Sequence, residues 1–172
     1  MRILTGVVEV LVEGSKIEGQ IMEALLAVIG LWLSVNYGLS VDEPHPKVAF
    51  SARQAMTQTW IGQFTNQQTW DIARLEQEGD HSEILGFYDS ITQTIVLPEG
   101  WDPTSPRDVS ILVHEMVHHG QYQGRSKYAC SAQRERLAYQ AQDEWLSLFE
   151  KSLESEFEID PMTLLIRTKC MF

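Results

Sequence analysis

The run His114-Glu115-Met116-Val117-His118 constrains this chain more than any other feature. Histidines four residues apart share a face on an α-helix, one turn apart, where both imidazoles can reach one ion. Glu115 is rotated by about a quarter turn, so its carboxylate can reach a water on that ion without ligating the ion. That division of labour suits a zinc hydrolase. Neutral imidazoles hold the metal, the metal lowers the pKa of water towards about 7, and the carboxylate takes the proton. The bland alternative is a helix whose histidines merely lie on a polar face. Local context favours the metal: Ser105-Pro106-Arg107-Asp108 is a helix start, with Ser as N-cap, Pro at the first helical position and Asp at the third. The predicted helix runs through Val117 to about Tyr122, before Gly124.

A catalytic zinc site needs a third protein ligand. The metzincin continuation would place glycine at 121 and histidine at 124, but the chain has Gln121 and Gly124. Glu135, seventeen residues after His118, is the better candidate. It lies near the start of a second predicted helix, about Ser131 to Leu153, whose apolar face holds Ala138, Ala141, Trp145 and Leu148. Small Ala138, one turn along, would let that helix approach the first closely. The opposing possibility is a solvated Glu135 paired with Arg134 or Arg136. Asp143, Glu144 and Cys130 stay open as substitute ligands.

Elsewhere the chain reads as one α+β domain. Ile84 to Tyr88, a turn at Asp89-Ser90 and Ile91 to Leu97 form a predicted β-hairpin, rich in Ile, Thr and Val, within a small antiparallel sheet. Val48 to Phe50 is a short strand after Pro44 and Pro46, Arg53 to Trp60 is helical, and Gly62 to Gly79 is polar and ambiguous. Ile21, Leu25, Val28, Trp32 and Val35 recur at helical spacing, with Gly38 as the stop. Arg2 to Glu13 reads as a β-rich apolar segment. Residues 1–20 are thus expected to be a peripheral extension and 21–172 the domain. The apolar tail Met162, Leu164, Leu165 and Ile166 should pack back on the core.

With 172 residues and 44% hydrophobic content, the chain can bury a real core. A net charge of −11 argues against a nucleic-acid partner, because phosphate binding relies on clustered Lys and Arg. Glu23 interrupts the apolar run Ile21 to Val35, which is short for a membrane span of about 20 residues, so a buried core helix is expected and no span. No basic start with a small-residue cleavage site marks a signal peptide. Cytoplasm is then the default compartment; a disulfide between Cys130 and Cys170, as open as two reduced thiols, would make it periplasmic or secreted.

Val113-His114-Glu115-Met116-Val117-His118-His119 followed by Glu135-Arg136-Leu137-Ala138-Tyr139 resembles the gluzincins, and the short chain resembles their minimal, minigluzincin-like bacterial members. The likeness spans about Ile84 to Trp145. It implies a zincin-like helix–hairpin–helix core, zinc on His114, His118 and Glu135, and hydrolysis of peptide bonds in a peptide or protein substrate with Glu115 as base. Gluzincins often carry an aspartate four residues beyond the glutamate ligand; here that position is Tyr139, so the support it gives a metal histidine is missing. In the resembling enzymes an exposed edge strand pairs with extended substrate, and Ile91 to Leu97 is the strand placed for this, though it also suits an ordinary hairpin. Tyr139 and His119 are candidate donors to a developing oxyanion. His45 and His81 earn no role. Two rivals remain: a non-catalytic zinc-binding module, and a metal-free interaction domain with an acidic surface.

Overall fold

The computed structural model describes residues 2–41, 44–56 and 84–170, and for residues 2–18 the backbone path alone. It is mixed α and β, with a small three-stranded sheet. The chain divides into two compact units, Met1–His45 and Pro46–Phe172.

The first unit is built on helix α1 (Arg2–Tyr37). The β-rich segment expected over Arg2 to Glu13 is helical instead. A lone strand leaves its backbone groups unpaired, whereas a helix satisfies them internally, and β propensity is too context-dependent to override this. The helix stops at Gly38 as expected; its φ of +64° suits glycine, and its N–H donates to Ser34 O at 3.0 Å. The expected inward face is corrected: Ile21, Val28 and Val35 are 48%, 57% and 75% exposed, while Leu26, Ile29 and Leu33 are buried. A helix apolar on several sides does not reveal its core face by composition. By length and composition Gly19–Tyr37 is long and apolar enough to cross a membrane, and 22% of it is buried.

The second unit holds the sheet: β1 (Lys47–Ser51), β2 (Phe87–Asp89) and β3 (Thr94–Pro98), in the order β1-β3-β2. β2 and β3 form the expected antiparallel hairpin, with Tyr88 opposite Ile95. Its turn is longer than Asp89-Ser90, because Asp89 Oδ1 accepts from Ile91 N–H and Oδ2 from the Thr92 hydroxyl, and Gln93 takes a positive φ of 52°. The sheet is not purely antiparallel: β1 runs parallel to β3, with Val48 opposite Ile95. Parallel pairing needs a long crossover, and no local sequence pattern announces it. β3 is therefore the central strand, and among the described residues the sheet edges belong to β1 and β2. This corrects the assignment of Ile91 to Leu97 as the edge that receives substrate. Residues 53–56 are helical; the rest of the helix expected to Trp60, together with Gly62 to Gly79 and His81, lies outside the described residues.

Helix α2 (Pro106–Gln123) begins as its sequence dictates. The Ser105 hydroxyl accepts from Asp108 N–H, Pro106 occupies the first turn, and Trp101 Nε1 donates to Asp108 O at 2.7 Å. Leu112, Val113, Met116 and Val117 are fully buried, each contributing about 1.5–3 kcal/mol. Helix α3 (Ser131–Ser147) packs on α2, with Ala138 and Ala141 fully buried. It stops short of the expected Leu153. Glu150 turns left-handed at φ 60°, Lys151 N–H closes back on Leu146 O, and the Asp143 carboxylate accepts from Leu153 N–H. With no glycine at this stop, the sequence does not advertise it. Two short helices follow, α4 (Leu153–Phe157) and α5 (Pro161–Thr168). Of the apolar tail only Leu164 joins the cluster of Leu146, Leu153 and Ile159; Met162, Leu165 and Ile166 stay exposed. A disulfide, Cys130–Cys170, ties the tail to the start of α3.

Candidate metal centre

One turn of α2 sets His114 and His118 side by side, ring centroids 4.9 Å apart, and α3 brings Glu135 against both. Glu135 Oε2 lies 3.2 Å from His114 Nε2 and 3.2 Å from His118 Nε2, while Arg134 reaches Oε1 at 3.4 Å. His118 is buried, and His114 and Glu135 are partly so. The substitutes considered for Glu135 are occupied elsewhere: Asp143 caps the turn to α4, Glu144 accepts from Gln140, and Cys130 is in the disulfide.

The hydrogen bonds around the two rings show why a cation fits. Gln121 Nε2 donates to Arg134 O at 3.0 Å, so its amide oxygen is the end facing His118 Nδ1, also at 3.0 Å. The Ser110 hydroxyl donates to Arg107 O at 2.6 Å and accepts from Gln142 Nε2 at 3.3 Å, which turns the Gln142 amide oxygen to His114 Nδ1 at 3.0 Å. Each Nδ1 therefore carries the proton, and each neutral imidazole presents a lone pair at Nε2. Two lone pairs and a carboxylate oxygen then converge with no proton of their own to share. Only a cation, or added protons, relieves that arrangement. Donors about 2.0–2.1 Å from a tetrahedral ion stand roughly 3.3 Å apart, close to the two 3.2 Å separations between Glu135 and the histidines, and all three donors lie within 4.8 Å of one another. Without a cation the relief is added protons: burial alone would raise the Glu135 carboxyl, but rings protonated at Nε2 hold it well below the usual carboxylate range through the charge of His118 and hydrogen bonds from both imidazoles.

Glu115 stands on the neighbouring face of the same turn, 6% exposed. Burial pushes its carboxyl from 4.5 up to about 7; His114 opposes the shift, Glu135 adds to it, and Arg134 and the Tyr88 backbone N–H oppose it. Tyr88 belongs to β2, so the sheet backbone lies close enough to influence this carboxylate. Gly86, just before β2, makes the close approach possible: a Cβ there would lie 2.9 Å from Ile111 Cγ2 and 3.5 Å from Glu115 Cγ.

The other expected residues fall as follows. The Tyr139 ring packs edge-on against His114 at 4.8 Å, and its hydroxyl accepts from Arg167 of α5 at 3.2 Å; burial pushes this phenol up, against the opposing Arg167. His119 is fully buried, with Nδ1 2.9 Å from the Tyr88 hydroxyl, itself pushed up to about 12 by burial and by Tyr122 and Asp89. His45 pairs with Glu23 at 3.5 Å, within the first unit. Sequence reasoning missed Gln121, Gln142, Ser110 and Tyr88. Gln121 was within reach, one turn beyond His118 on the same helical face; Gln142 lies two turns beyond Glu135, a spacing that carries no signal without a packed partner helix.

Paired helices presenting three convergent donors beside a buried carboxylate define a mixed α and β protein with a possible metal site. Residues 18–172 match the family described as Domain of unknown function (DUF6647), and the chain belongs to that family. No curated protein and no solved structure matches the chain.

Proposed function

We propose that this chain is a zinc-dependent hydrolase, a zincin-like metallopeptidase of gluzincin character that cleaves peptide bonds in a peptide or protein substrate. One observation carries the proposal: His114, His118 and Glu135 converge on one point while Glu115, buried and free of the ligand set, stands one position along the same helix. Bound zinc would supply the Lewis acid that lowers the pKa of a water and polarises a carbonyl. Glu115 does the proton work. Its carboxylate takes the proton of the attacking water and passes it to the leaving amine, a task suited to a carboxyl raised to about 7. An extended substrate is assigned to the edge of β2 rather than to β3, by backbone pairing of the β-augmentation kind.

Among the described residues the donor group numbers three, which supports an open catalytic position over the closed four-ligand site of a purely structural zinc module. The Cys130–Cys170 disulfide supports a periplasmic or secreted setting. The test is Glu115→Gln assayed on a mixed peptide library by mass spectrometry. Cleavage should vanish while bound zinc is retained; a variant that still cleaves, or that loses its zinc, contradicts the role given to Glu115.

A further inference from the structure

We infer that Gln121 and Gln142 are the positioning residues of the metal centre, holding both ligand imidazoles in the Nδ1–H tautomer through neutral amides. This rests on the metal reading above and goes beyond it in assigning how the donors are kept ready. Each amide is oriented from its far end. Gln142 Nε2 is held by Ser110, which lies one turn before His114 on α2 and whose hydroxyl is held in turn by the Arg107 carbonyl, two turns before His114. Gln121 Nε2 is held by the carbonyl of Arg134, the residue preceding Glu135. One amide thus ties His118 to the backbone that carries the third donor, and the other ties His114 on α2 to α3.

Burial makes these bonds matter. Ser110, Gln121 and Gln142 are 0%, 3% and 5% exposed, so no bulk water replaces a lost partner. Position 139, where a carboxylate would support a metal histidine in the resembling family, holds Tyr139, which packs edge-on against the His114 ring instead. The amides accept the same Nδ1–H proton but add no negative charge. More of the cation's charge is left to act on the open coordination position than a carboxylate partner would leave.

The test uses the full chain with zinc alone as ligand. Zinc affinity is measured by competition with a chromophoric chelator, and ring protonation by 15N NMR of the metal-free protein at alkaline pH. Wild type should show Nδ1–H at both His114 and His118. Gln142→Met should scramble the tautomer of His114 but not of His118 and weaken zinc binding about 10–100-fold. Gln121→Met should do the converse. Gln142→Glu, which restores an acceptor to Nδ1–H, should recover most of the lost affinity. Ser110→Ala, which keeps packing intact and frees the Gln142 amide to turn, should show a smaller loss and decides the matter if Gln142→Met does not fold. Wild-type zinc uptake with unchanged affinity in the variants overturns this inference alone. A wild type that takes up no zinc overturns the metal reading and the inference with it, and Nε2–H rings in wild type overturn the assignment of the amides directly.

Discussion

Replacing Glu115 by glutamine in the metal-free protein separates the chemistry of this side chain from its cost to the fold. The carboxyl is 6% exposed, and burial pushes it up to about 7 in the folded chain from the ordinary 4.5 that an unfolded chain approaches. At about 1.36 kcal/mol per pH unit, that difference corresponds to about 3 kcal/mol. Its direction follows from which state holds the proton. A folded-state value raised above the unfolded one leaves stability intact below pH 4.5, erodes it as pH rises towards 7, and leaves it low above. Glutamine keeps the shape but carries no charge. Metal-free Glu115→Gln should therefore be more stable than wild type by up to about 3 kcal/mol above pH 7, with the gap closing below pH 4.5. Urea denaturation in the presence of chelator, repeated across that range, measures it. Equal stability above neutrality, or a gap that ignores pH, would refute the claim that a buried charge is being tolerated for function. Added zinc should narrow the gap, because a nearby cation favours the carboxylate.

Three further expectations can be checked on purified protein. Elemental analysis should find one zinc per wild-type chain and none in His114→Ala or Glu135→Ala; a variant that keeps its metal removes that residue from the ligand set. Reducing the disulfide, which closes a separation of 40 residues, should lower stability by about 4 kcal/mol on the chain-entropy estimate, and denaturant midpoints unmoved by reductant would contradict this. Gly86→Ala forces a Cβ to within 2.9 Å of Ile111 and should cost about 1–3 kcal/mol in thermal or urea melts, partly recovered by Ile111→Val; an unchanged melt would show that β2 can move off α2 freely.

The parts of this molecule legible in advance were those specified by short-range chemistry. The Ser105 cap, the first-turn Pro106, the i, i+4 histidines and the small Ala138 each act over one or two turns, and α2, α3 and the three donors lie where those signals put them. The hairpin was legible for the same reason, though the Asp89 side chain stretched its turn. What escaped depended on distant partners or on backbone geometry without a residue signature. Nothing near Lys47 announces a parallel pairing with Thr94, and a left-handed Glu150 ended α3 where a glycine would have been looked for. In α1, apolar residues on several sides left the choice of face to packing. The amide supports of the histidines escaped because glutamine has no obligatory role; only the helix pairing turns Gln142 towards His114.

Cys130 and Cys170 enclose Glu135, Tyr139, Gln142 and Arg167 in one covalent ring of chain. A single peptide-bond break anywhere within that ring, for instance in the exposed turn around Glu150, leaves both fragments joined through sulfur. The third donor and its buttressing helix would then stay captive to the rest of the molecule, so nicking alone would not release them while the ring is oxidised.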